Sequence, residues 1–175
     1  MKSFNAICTH IIAVGTKEDT DINCHPKDVG PKIAIGWRVF NDDNRSSKEK
    51  STFFKLYKLS IQVDSELRSD VISWFGVDED FKRFNIRKLL GKDCQLELID
   101  TIKGTSESTF SIKRVVSGLH FESKKIPPSE LIYFTVGDPD RQLMMHLPFE
   151  VQLMIENSMQ YKVSTGSTSS KDDEL

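Results

Sequence analysis

The 175-residue chain lacks any apolar run approaching the roughly 20 residues that a membrane-spanning helix needs. It also lacks a glycine-rich phosphate loop, a nucleophile elbow and a paired-histidine metalloprotease helix, so its short motifs give no sign of catalysis. Cysteine is scarce. Cys8, Cys24 and Cys94 are odd in number and widely spaced, which excludes a dense disulfide framework and suits free thiols in a reducing cytoplasm. The opening stretch MKSFNAICTHIIAVG is interrupted by Thr9 and His10. It has neither the unbroken apolar core nor the small-residue cleavage site of a secretory signal, and it reads as a first strand. No internal repeat is evident. An excess of one charge is missing too, with 24 basic against 26 acidic side chains and a formal charge of −2. Three of the acids fall in the final KDDEL, which leaves residues 1–170 with 23 of each sign. A neutral body argues against a strongly electrostatic binder, yet it accommodates local basic patches. Residues 82–92, KRFNIRKLLGK, hold five basic side chains and no acid.

What is present is clearest over residues 52–76, TFFKLYKLSIQVDSELRSDVISWFG. Residues 53–63 predict a long strand. Its second half alternates, so Leu59, Ile61 and Val63 are expected to face a core. Its first half carries aromatic or aliphatic bulk beside lysine on both faces, as a ligand-binding sheet surface would. Asp64 or Ser65 then caps a helix on which Leu67, Val71, Trp74 and Phe75 share one face, with Arg68, Ser69 and Asp70 away from it. Gly76 suits the left-handed position that ends such a helix.

Elsewhere, residues 7–14 predict the first strand and residues 15–31 a long polar loop. Residues 32–40 form a second strand, with Ile33, Ile35, Trp37 and Val39 on one face and Ala34, Gly36, Arg38 and Phe40 on the other. Gly36 within a strand marks a bulge or a close backbone approach. Asn85 caps a short helix ended by Gly91, and residues 93–102 and 109–118 make a fourth and fifth strand in a hairpin. Residues 131–136 are a short edge strand. Residues 147–159 predict a terminal helix burying Phe149, Leu153 and Met154. From Ser164 the chain is too polar to fold alone, giving one domain over 1–163 and a flexible acidic tail over 164–175. A mainly β chain with a helix between strands three and four has the pattern of a five-stranded OB-fold barrel, here with a C-terminal extension.

In such barrels the strand 2–3 face and the loops joining strands 1–2 and 4–5 hold ligands. The side chains there are Trp37, Arg38, Phe40, Phe54, Lys55, Tyr57 and Lys58, joined by Lys113 and Arg114 from strand five. Aromatic rings that stack on bases and cations that track phosphates are what single-stranded nucleic acid requires. Alternation alone aims Arg38, Phe40, Phe54 and Lys58 outward and sends Trp37 and Tyr57 inward; a bulge at Gly36 or a bend near Lys55 would exchange the sets. The plainer alternative makes the aromatics core and the lysines solvated edges. Cys8, His10, Cys24 and His25 are ligand types for zinc, with Cys8 and His10 on one strand face. However, an adjacent Cys24–His25 pair closes a tetrahedron poorly, so no metal or cofactor is expected. His120 and His146 stand alone, and Asp138-Pro139-Asp140 is best explained as a proline turn.

The run Lys55, Tyr57, Leu59, Ser60, Ser65, Leu67, Arg68, Asp70, Ser73, Trp74 and Gly76 resembles a family of bacteriophage proteins. Further matches are Ile35 and Trp37, Leu89-Leu90-Gly91-Lys92 with Cys94, and Tyr133-Phe134 with Asp138-Pro139-Asp140, together spanning residues 32–140. Leu56 departs from it, standing where a basic residue would be expected. The family is encoded near phage recombination functions and regarded as OB-fold proteins that bind single-stranded DNA. The resemblance implies a non-catalytic coat for single strands in replication or recombination, in the cytoplasm, with homo-oligomerisation left open. The tail residues Asp172, Asp173, Glu174 and Leu175 resemble the acidic, hydrophobic-ended tails of single-strand-binding proteins. That implies competition with DNA for the basic face or docking on replication or recombination proteins, with a merely solubilising end as the plainer alternative. The competing expectation is a protein-interaction module on the same scaffold, such as a phage inhibitor of a host factor, because OB barrels bind proteins as readily as DNA.

Overall fold

One extra residue in the first strand decides which side chains reach which core. The computed structural model describes residues 2–16, 30–40, 51–76, 81, 83–102, 108–118 and 126–166. Strand β1 (Lys2–Gly15) pairs antiparallel with β2 (Lys32–Phe40), with Cys8 opposite Trp37 and His10 opposite Gly36. Thr9 is left over as a bulge. Before it, Ala6 and Cys8 enter one apolar cluster; after it Ile11 does, while Ile12 and Val14 join a second cluster on the other face. Unbroken alternation would have kept Cys8 and His10 together. The bulge separates them, burying Cys8 in the first cluster and setting His10 edge-on to Phe54 on the opposite face.

With β3 (Thr52–Lys58), β4 (Asp93–Ile102) and β5 (Ser108–Val116), the sheet runs β3-β2-β1-β4-β5, every neighbour antiparallel. β6 (Ile132–Phe134) pairs parallel with residues 10–12 of β1, along the edge that β4 leaves beyond Ile7. The chain is therefore mainly β with a few helices. The expected closure into a barrel is absent, since β3 and β5 are not paired as strands. Lys113 is a bulge residue in β5, between Arg114 opposite Glu97 and Ile112 opposite Leu98. Its carbonyl is reached across the gap by the Lys55 ammonium, at 3.5 Å.

β3 is shorter than the alternation predicts. Its partner β2 begins at Lys32, opposite Lys58, so there is no neighbour to extend the ladder. The chain turns instead, and Leu59, Ile61 and Val63 are 45%, 44% and 84% exposed rather than core. Helix α1 (Glu66–Phe75) follows, capped by Ser65, whose hydroxyl accepts from Arg68 N at 3.3 Å and donates to Ser60 O at 2.8 Å. Gly76 closes it at φ +96°. Leu67, Val71 and Trp74 fill the first cluster beneath the curved sheet, but Phe75 is 41% exposed and Asp70 is buried. Backbone and ring bonds hold the helix there: Trp74 Nε1 donates to Asp93 O at 2.6 Å and Ser117 N to Ser73 O at 3.0 Å.

The C-terminal extension is three short helices, α2 (Arg141–Met144), α3 (Phe149–Glu156) and α4 (Met159–Ser164). Together with β6 they supply Phe134, Val136, Met144, Leu147, Val151 and Ile155 to the second cluster, against Ile12, Val14 and Ala34. The expected burial of Phe149, Leu153 and Met154 is reversed. The helix turns Val151 and Ile155, four residues apart, to the sheet and leaves those three exposed. α4 is tied to the end of β1 by Met159 N to Thr16 O at 2.9 Å and Thr16 N to Gln160 Oε1 at 2.8 Å.

Candidate nucleic-acid interface

β2 keeps its alternation intact because the bulge lies in β1, so the exchange of faces at Gly36 does not occur. Trp37 and Tyr57 are core residues, 1% and 2% exposed. The Trp37 ring lies 6.2 Å from that of Trp74, and Tyr57 Oη donates to Asp70 Oδ2 at 2.7 Å. Burial, reinforced by the Asp70 carboxylate, pushes the Tyr57 pKa far above its ordinary value. Neither ring can meet a base without opening the core. Lys55 shares this inner side. Its ammonium stands 2.7 Å from Asp70 Oδ2 and 2.9 Å from Glu66 Oε1, so its charge is neutralised within the protein.

Phe54, Arg38 and Phe40 lie on the outer face. Phe54 crosses over Gly36 so closely that a Cβ there would stand 2.5 Å from Phe54 Cε1 and 3.0 Å from His10 Cβ. The absence of a side chain at Gly36 is what seats the ring, which meets His10 edge-on at 5.2 Å between centroids. Arg38 stands opposite Ile7 on one side and Thr52 on the other; its side chain is only 13% exposed and forms an ion pair with Glu130. Burial, with the nearby Arg38 charge, lowers the His10 pKa to about 4, so the imidazole is neutral near pH 7. Its Nδ1 lies 2.8 Å from Thr9 Oγ1. Phe40 closes β2 opposite Asn5 and is half-buried.

Part of this face is covered, and Phe54 itself is half-buried, with one side against the extension and the rest left open. Phe54 and Leu56 pack against the cluster built with α2 and α3, so the extension narrows the surface on which a strand could lie. Lys58 is exposed at the far end of β3, opposite Lys32, beside a cavity of about 430 Å³ that Gln62, Asp64 and Glu66 also line. Lys113 and Arg114 are exposed on β5, Arg114 facing Glu97 across the ladder. The nine side chains therefore form an outer aromatic and arginine group, a buried group, and two separate basic edges.

Comparison of the chain with protein-family models, curated proteins and solved structures finds no match.

The polar partners Asp70, Glu66, Glu130 and His10 were not singled out for this surface from sequence. Asp70 carried a signal, since it follows Leu67 by three residues and borders the apolar stripe. Among the described residues no three His, Cys, Asp or Glu side chains are grouped to hold a metal. Cys8 is separated from His10 by the bulge and its thiol is pushed far up by burial. Cys24, His25 and the tail residues Asp172, Asp173, Glu174 and Leu175 lie outside the described residues. No helix among the described residues is long and apolar enough to cross a membrane.

Proposed function

We propose that the chain is an OB-type protein that binds single-stranded DNA without catalysis, in phage-type replication or recombination. The strand order β3-β2-β1-β4-β5 supports this, with α1 plugging the core between β3 and β4 and a side chain bridging the two outer strands. The observation that carries the reading is the seat of Phe54 over Gly36 on the outer face, with Arg38 two pairs along the β2–β3 ladder and Phe40 beyond it. A ring held in place offers a base a stacking surface worth about 1–3 kcal/mol, and a guanidinium that exchanges Glu130 for a phosphate adds a contact at the backbone. Lys58, Lys113 and Arg114 extend the cationic path at the edges.

The test is a titration of labelled oligothymidylate at low and high salt, with Phe54→Ala and Arg38→Ala beside the wild type. Loss of affinity in both folded variants, with a shallower salt dependence only for Arg38→Ala, is the expected result. Affinity unaffected by Phe54→Ala would refute stacking at this site.

A second reading, a protein-interaction module on the same scaffold, is favoured by the extension. Phe149, Leu153 and Met154 are exposed on α3, and Leu153 and Met154 line a groove of about 420 Å³ with Val14, Lys32 and Leu56. Absence of oligonucleotide binding even at low salt would select it.

A further inference from the structure

The described part of the basic run, residues 83–92, takes no part in the face just described. Its Ile86–Leu89 segment folds as one 3-10 turn, capped by Asn85 Oδ1 accepting from Arg87 N at 3.0 Å. Leu89 is fully buried, and Phe84, Ile86 and Leu90 pack on the first cluster. The turn is stitched to β1 by Gly91 N to Cys8 O at 2.8 Å and Cys8 N to Lys92 O at 3.0 Å, in the space between β4 and β6. The apolar side chains are thus spent on anchoring, and Arg83, Arg87, Lys88 and Lys92 are left exposed on a rigid mount. Among the described residues no carboxylate is ion-paired with Arg83, Arg87 or Lys92. The Arg87 guanidinium lies over the Tyr133 ring, 3.8 Å from its centroid. The contact with the ring restrains the guanidinium, and Arg87 remains exposed to solvent.

We propose that this ridge is a second single-strand contact, with Arg87 as a stacking plate for one base and Arg83 and Lys92 as phosphate contacts. An arginine already restrained by tyrosine loses little freedom when a base covers its exposed side, and a guanidinium plane stacks on bases as an aromatic ring does. An acidic protein segment would use the cations but has no use for the plate, and that is why a nucleic acid is preferred. The inference rests on the reading of the chain as a single-strand binder and adds a surface on the flank of β1 that β4 and β6 share, opposite strand β2.

The experiment measures fluorescence anisotropy of labelled oligothymidylate and of an abasic strand of equal length over a salt series, with thermal melts to confirm folding. For Arg83→Ala/Arg87→Ala/Lys92→Ala the slope of log K against log salt is expected to flatten by about 1.4, from two phosphate contacts at about 0.7 each. Arg87→Lys keeps the charge and loses the plane. It is expected to weaken oligothymidylate binding about fivefold or more, while leaving the slope and the abasic strand unchanged. Wild-type binding with an unchanged triple-variant slope would overturn the ridge alone. Equal effects of Arg87→Lys on both strands, or equal competition by polyglutamate, would overturn the stacking plate. Failure of the wild type to bind either strand would overturn the ridge together with the function on which it rests.

Discussion

The Asp70 carboxylate is the place to test how the core is held. Its Oδ2 accepts from Lys55 Nζ and from Tyr57 Oη, each at 2.7 Å, and the side chains of Asp70 and Lys55 are only 10% and 11% exposed. At this distance and an effective dielectric near 20, the Coulomb attraction is about 6 kcal/mol, set against a desolvation penalty of several kcal/mol per ion. The pair as a whole is close to neutral for stability, whereas losing one member leaves a buried charge and is expected to cost about 3–5 kcal/mol. Asp70→Ala should fall at the low end, near 3 kcal/mol, because Glu66 stays 2.9 Å from the ammonium. Lys55→Met should cost as much or more, since only the Tyr57 hydroxyl then remains on the carboxylate. The double variant Lys55→Met/Asp70→Leu removes both charges and should be less destabilised than the sum of the singles by about 2 kcal/mol or more. Urea unfolding followed by tryptophan fluorescence and circular dichroism, with m-values compared, measures all three. Single losses below about 1 kcal/mol with additive behaviour would mean that the cluster is solvated, and the inner placement of Lys55 would be refuted.

Trp74→Phe should cost about 1–2 kcal/mol through the lost bond to Asp93 O, and Trp74→Ala about 3–5 kcal/mol; near-wild-type unfolding midpoints would show that α1 does not plug the core. Gly36→Ala should cost about 1–3 kcal/mol, because the new methyl displaces Phe54, and should lower oligonucleotide affinity with it; unchanged stability would place Phe54 elsewhere. His10 is lowered from 6.5 to about 4, so the unfolded chain takes up its proton first as pH falls. Its contribution is complete above pH 6.5 and is lost between 6.5 and 4. Discounted for the solvated part of the ring, it is about 1–2 kcal/mol, which should disappear from the difference between wild type and His10→Gln over that window. Tyr57 should not ionise before the protein unfolds in base, so the folded wild-type and Tyr57→Phe proteins should give the same phenolate absorbance rise.

Local patterns in the sequence specified the elements whose cause is local. β2 is bounded at residues 32 and 40 as its alternation predicts, Ser65 and Gly76 cap α1, and Cys94, Leu96 and Leu98 face inward from β4. Period-two and period-3.6 patterns record one buried face per element, and short-range capping chemistry records the ends. The alternation also divided Trp37 and Tyr57 from Phe54 and Arg38 correctly once β2 was known to be unbulged.

Pairing partners decided the rest. Where β3 stops depends on where β2 begins, about 25 residues earlier in the chain, so the apolar Leu59, Ile61 and Val63 gave a false continuation. A bulge leaves no trace in composition, yet Thr9 moved His10 across the sheet and Lys113 bends β5 at the unpaired gap. The C-terminal helices cover a face that alternation alone would assign to ligand, and they do so through Val151 and Ile155 rather than the bulkier Phe149. Asp70 borders the apolar stripe of its helix, yet the helix alone does not bury its charge. Only the approach of β3 places Lys55 and Tyr57 against it, because burial of a charge depends on a partner far away in sequence, and tertiary packing alone brings that partner near.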